Sequence, residues 1–178
     1  MHRRHLLRLL GAAAALPFVP REAEAALAFG RAAHQAARGP GFRALSAAQA
    51  ELVAALADLI LPRTDTPSAS DVGVPAFIDH MLVEWYAPED TRLFLQALDD
   101  IHRQAGGDFL ALDEARQVSV AGDLDRFGGG DRGTAAWAWG RIKSLTVYGY
   151  FTSEKVMTEV TRDPIIPGRF AGCVAQES

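Results

Sequence analysis

Leu145-Thr146-Val147-Tyr148-Gly149-Tyr150-Phe151-Thr152-Ser153-Glu154 sets two tyrosines and a phenylalanine around one glycine, with two hydroxyl residues at its end. Upstream of it, Trp137, Ile142, Leu145 and Tyr148 share one face at helical spacing, and Thr134 stands where the cap of that helix belongs. Trp139 falls off this face, which predicts either a second contact or exposure. Gly149 is placed to end or tighten the helix, and Thr152 or Ser153 to cap a further one carrying Val156, Met157 and Val160. The aromatic cluster is then either core or a place where another surface docks.

The same helical period recurs toward the N-terminus. Ser46 and Gln49 form a capping box, Leu52, Val53, Leu56, Leu59 and Ile60 make one apolar face, and Pro62 stops the helix. Pro75 suits a first helical position ahead of Phe77, Ile78, Met81, Leu82 and Trp85, and Pro88 is expected to end that helix. Glu89 and Asp90 open the next, in which Phe94, Leu95, Leu98 and Ile101 share a face up to Gly106-Gly107. Asp113 can cap another, carrying Ala115, Val118, Ala121, Leu124 and Phe127.

No segment alternates with period two between hairpin turns, so the expectation is all-α: one compact domain of about five to six helices over residues 45–163. Residues 26–44, with Gly39-Pro40-Gly41, read as a linker. Residues 164–178 read as an extended tail, because Pro164, Pro167, Gly168 and Gly172 all resist helix.

At 178 residues, 49% of them apolar, the chain can bury one core of ordinary size. A net charge of −4 speaks against a nucleic-acid binder, which needs a basic face to neutralise phosphates. Cys173 is the single cysteine, so an intrachain disulfide, a c-type haem attachment and a Cys-ligated iron–sulfur cluster are all excluded within this sequence. With only Arg169 as a basic neighbour, its thiol reads as a small buried group rather than a reactive one.

Other motifs dissolve on inspection. Residues 128–133 spell G-x-G-x-x-G, but a helix pattern precedes them where a dinucleotide site requires a strand. The turn-rich segment 63–74 carries Asp65 and Asp71 without the spacing of a calcium loop, and reads as a solvated connector. His34, His80 and His102 lie in no catalytic pattern. Asp79 with His80, or Asp99 and Asp100 with His102, could be drawn as acid–base sets, yet adjacent residues on a helix point apart. No catalytic, cofactor-binding or metal residue is assigned, and any redox centre would sit in a partner.

The first 25 residues have the layout of an export signal: Arg3-Arg4, then Leu6 and Leu7, a short alanine-rich apolar run from Leu9 to Val19, and Ala23-Glu24-Ala25 as an A-x-A cleavage site. The run is too short and too weakly hydrophobic to span a bilayer. Arg3 and Arg4 resemble the pair of a twin-arginine signal, although His2 and Leu6 stand where a hydroxyl residue and a phenylalanine are common. Folded export suits proteins that load a cofactor before leaving the cytoplasm. Since no cofactor motif follows, the expectation is that the signal serves a companion which carries one.

The segments Leu56-Ala57-Asp58-Leu59-Ile60-Leu61-Pro62-Arg63-Thr64-Asp65-Thr66-Pro67, Gly73-Val74-Pro75-Ala76-Phe77-Ile78-Asp79, Leu145-Thr146 with Tyr148 to Glu154, Pro167-Gly168-Arg169-Phe170 and Gly172-Cys173 occur in an order that resembles the gluconate 2-dehydrogenase subunit 3 family. The resemblance runs from about Leu45 to Cys173. It implies a non-catalytic small subunit whose partner is a large FAD-dependent dehydrogenase of the glucose-methanol-choline type, acting on a sugar or sugar acid and passing electrons to a cytochrome c. It also implies a periplasmic location reached through the twin-arginine translocase, with membrane association open to it through the complex, and a small subunit that helps its partner to fold and leave. On that basis Tyr148, Tyr150, Phe151, Arg169, Phe170 and Cys173 are the expected contacts with the large subunit. The competing outcome is that Tyr148 and Phe151 are core and only the tail docks. Two other classes stay open: a stand-alone periplasmic sugar-binding or enzymatic domain, and a transient export chaperone.

Overall fold

The computed structural model describes residues 20–39, 41–126 and 130–161. Its α-helices in chain order are α1 (Pro20–Ala36), α2 (Ala47–Ile60), α3 (Val74–Glu84), α4 (Pro88–Gln104), α5 (Glu114–Arg126) and α6 (Ala135–Thr152). Short 3₁₀ turns lie at Ser70–Val72 and Phe109–Ala111, and a π-helical segment, Val156–Thr161, closes the described chain. There is no strand among the described residues, as the all-α reading expected.

The caps are those the sequence offers. The Ser46 hydroxyl accepts from the Gln49 amide (3.3 Å) while the Gln49 side chain accepts from the Ser46 amide (3.1 Å). Asp113 accepts from the Arg116 amide at the start of α5 (2.8 Å), and Thr134 accepts from the Trp137 amide at the start of α6 (3.2 Å). Each of these side chains satisfies an amide that the first turn of a helix leaves unpaired. Pro88, expected to end α3, instead opens α4. Its missing N–H is harmless in a first turn, and α3 has already stopped at Glu84.

Helix α6 is the axle of the domain. It packs against each of α1 to α5 and against the π-helical segment, and its buried residues, Trp137, Trp139, Ile142, Thr146 and Tyr150 among them, cover more than half of its circumference, leaving Arg141, Ser144 and Phe151 on an exposed strip. A helix with so wide a buried face belongs at the centre of a bundle rather than on its rim. That settles Trp139: it is buried against α5, with its indole N–H donating to Asp125 (3.2 Å). Gly149 does not end the helix. It sits in mid-helix because a Cβ there would come within 2.8 Å of the Phe77 ring on α3. The core around this axle is built on Phe77, Phe94, Phe109, Leu56, Leu98 and Ile142, all fully buried.

Residues 26–36, expected as linker, are helical and packed on the domain as most of α1. Alanine is the best helix former, and the one glycine in the stretch has a packing reason. A Cβ on Gly30 would stand 2.6 Å from the Cβ of Thr152, so glycine is what lets α1 cross α6 this closely. The loop after α1 is fixed by Asp79, itself buried, whose carboxylate accepts from the backbone amides of Arg43, Ala44 and Leu45, each at 2.8 Å. This turns Asp79 inward and away from any partnership with His80. The expected tail, 164–178, lies outside the described residues.

Candidate functional site

The six residues expected at a partner surface separate in the structure. Tyr150 is core: it is 4% exposed and its hydroxyl donates to the Pro67 carbonyl (2.9 Å), tying the end of α6 to the 63–74 connector. Burial of this kind gives the Tyr150 ring a role within the fold and leaves it little surface to offer a partner. Tyr148 is half-buried, its ring tilted against Phe77 at 5.8 Å and its hydroxyl donating to the Ala26 carbonyl on α1 (2.6 Å). Burial raises the Tyr148 phenol above its ordinary value, so it stays a hydrogen-bond donor. Phe151 is 48% exposed, with its ring T-shaped to that of Tyr150 at 5.3 Å between centroids. Arg169, Phe170 and Cys173, and the signal arginines Arg3 and Arg4, lie outside the described residues.

A different aromatic stands out. Trp85, expected on the buried face of α3, is 62% exposed. Trp85 is the C-terminal cap residue of the helix, its amide still bonded to the Met81 carbonyl, and its ring lies edge-on to Phe29 of α1 at 4.5 Å. Phe42, also exposed, and Trp85 each adjoin in sequence one member of the Arg43–Glu84 ion pair (2.7 Å). The sequence carries no local signal for this exposure, since Pro88 restricts only Ala87 before it.

A cleft of about 220 Å³ lies where the C-terminal end of α1 meets the start of α3 and the residues after α6, lined among others by His34, Arg38, Asp71, Glu154 and Lys155. Its groups are held by neighbours. The His34 Nε2 is 2.6 Å from the Gly149 carbonyl and its ring stacks on Phe77 at 4.8 Å. Burial lowers the His34 pKa below its ordinary 6.5, against the opposing pull of the Gly149 carbonyl and with a smaller contribution from Arg38. Arg38 pairs with Glu154 at 3.0 Å. Asp71 accepts from the Ser68 amide (2.8 Å), which holds its carboxyl below the usual range, and pairs with Arg63. Ser153 also lines the cleft, but its hydroxyl donates to the Tyr150 carbonyl (2.7 Å) rather than to a base. Nucleophile and general base are therefore not brought within reach of each other here.

The other acid–base set drawn from sequence also comes apart. Asp100 pairs with Arg103, while His102 Nδ1 accepts from the Phe109 amide (3.0 Å). Among the described residues no three His, Cys, Asp or Glu side chains gather to hold a metal ion. No described helix is long and apolar enough to cross a membrane.

The chain matches no curated protein and no solved structure. The sequence profile described as gluconate 2-dehydrogenase subunit 3 matches residues 47–168, a span that starts at α2, takes in the α6 axle and leaves α1 outside. A match over so much of the chain places this protein in the gluconate 2-dehydrogenase subunit 3 family, one subunit of a multi-subunit dehydrogenase.

Proposed function

We propose that this chain is the non-catalytic small subunit of a periplasmic, flavin-dependent dehydrogenase acting on a sugar or sugar acid. It docks on a large FAD-carrying subunit and leaves the cytoplasm with it by the twin-arginine route. The FAD, the substrate site and the path of electrons toward a cytochrome c belong to that partner. The observation that carries the reading is the family match over residues 47–168, whose description is itself that of a subunit. Two features support it. The signal-like Arg3-Arg4 segment precedes a chain in which no cofactor motif is found, and large apolar side chains lie in the open at Trp85, Phe42 and Phe151. Exposed aromatics of this kind are the usual anchors of lasting interfaces.

Co-expression with the large flavoprotein, with this chain present or deleted, tests the proposal. Flavin absorbance that co-purifies with this chain, and that vanishes from the periplasm without it, is the expected result. A flavoprotein that is exported and active in its absence sinks the escort role. Flavin that reaches the periplasm only with this chain, but does not stay bound to it, makes the chain a transient export chaperone. Turnover of a sugar by the isolated chain would make it an enzyme in its own right.

A further inference from the structure

We propose that α1 is a latch that withholds the Ala25–Ala26 bond from proteolysis while the domain is folded, so that removal of the leader waits on undocking of α1. The inference rests on the export reading only for the identity of the bond. Its physical basis lies in the contacts of α1.

The Ala23-Glu24-Ala25 site lies inside α1, which begins at Pro20. Ala25 and Ala26 are exposed, so access of solvent is no obstacle. Conformation is. A peptidase reads its substrate as an extended segment on either side of the scissile amide, and a helix must unwind to supply one. Unwinding across Ala26 breaks the bond from the Tyr148 hydroxyl to the Ala26 carbonyl (2.6 Å). A few residues on, Phe29 is held edge-on by Trp85, and Gly30 lies so close to Thr152 that a Cβ would clash. The N-terminal half of α1 is thus fixed at three successive points just downstream of the bond to be cut.

Cleavage adds one water across the Ala25–Ala26 amide, leaving a carboxylate on Ala25 and an ammonium on Ala26. In the docked state that ammonium would sit at the start of the remaining helix, where the helix dipole disfavours a cation. The product helix is therefore held less well than the intact one, and docking opposes cleavage both before and after the chemistry. Processing then follows one of two orders: before α1 docks, or after a partner has displaced it.

The test uses the full-length chain and elastase, which cuts after small residues, with intact mass and N-terminal peptides read over time. In native protein, cleavage at Ala25–Ala26 should run at least about a hundredfold slower than in the urea-unfolded chain, because proteolysis follows the open population. Tyr148→Phe removes only the hydroxyl and should speed this one cleavage about fivefold. Gly30→Ala should speed it about tenfold or more by wedging α1 off Thr152. Helical content and melting temperature, read alongside, confirm that the rest of the domain is intact. Native and unfolded chains cut at equal rates, or protection that neither variant relieves, would overturn the latch. Cell fractionation reads export separately: a chain that never leaves the cytoplasm, yet shows the expected protection in vitro, removes the export reading and leaves the latch standing.

Discussion

Thr146 shows at the scale of one residue what the crowding around α6 entails. It is fully buried, and its hydroxyl is, among the described residues, the buried side-chain polar atom without a hydrogen-bond partner. Other hydroxyls in the same turns are satisfied: Thr152 donates to the Tyr148 carbonyl at 2.8 Å, and Ser153 to the Tyr150 carbonyl. An unpaired buried hydroxyl loses its water without compensation, so replacing it by a methyl of the same shape should help. Thr146→Val is expected to stabilise the domain by about 1 kcal/mol, read as a rise of a few degrees in melting temperature. A fall would mean that the hydroxyl has a use in the folded chain that its surroundings do not show.

At the scale of elements, helix starts were legible in the sequence and helix faces less so. Ser46, Asp113 and Thr134 announce their helices because a cap is a local device: the side chain bonds an amide two or three residues on, whatever the rest of the fold does. Burial is not local. The face drawn through Trp137, Ile142, Leu145 and Tyr148 assumes a narrow buried stripe, but α6 has five helices against it, so the buried arc widens to take in Trp139 and Tyr150 while Arg141, Ser144 and Phe151 stay exposed. α1 was harder to read for another reason: Ala26, Phe29, Gly30 and Ala33 do recur at helical spacing, but alanine and glycine make so weak a stripe that only the contacts with α6 and α3 show it to be a packed face.

The docking of α1 is also where pH should act. His34 is held with a pKa below 6.5, mainly by burial, so the docked helix prefers the neutral ring. In the undocked helix the ring takes up its proton first as pH falls, so the docking free energy is complete above pH 6.5 and diminishes below it, through the folded pKa. Arg38 in the same cleft opposes the imidazolium, Lys155 also lines the cleft, and Asp71 and Glu154 are already engaged by Arg63 and Arg38. Amide-exchange protection factors of α1 should therefore drop between pH 7.5 and pH 5 while those of α2 and α4 hold. Equal protection of α1 at the two pH values, or the same drop in His34→Gln, would remove His34 from the explanation.

At the scale of the whole molecule, the bundle divides its aromatic residues between two tasks. Phe77, Phe94, Trp137 and Tyr150 hold the helices together, whereas Trp85 lies open beside Phe29 at the C-terminal end of α3. Sequence could not make this division, since Tyr150 and Phe151 are adjacent and alike, and only the third dimension turns one inward. The two groups should therefore answer differently to mutation. Trp85→Ala gives up an edge contact with Phe29, worth about 0.5–1.5 kcal/mol, and should leave the isolated subunit folded with a slightly lower melting temperature. If Trp85 anchors the large subunit, the same change should weaken the complex by about 2 kcal/mol or more, roughly thirtyfold in affinity. Tyr150→Ala should do the reverse, opening a cavity in the core at about 3–5 kcal/mol and lowering the yield of folded subunit before any partner is involved. Melting temperature and pull-down of the flavoprotein, measured on both variants, separate the two tasks. A Trp85→Ala subunit that keeps full affinity would move the interface away from this end of the bundle, toward Phe151 and the residues that follow it.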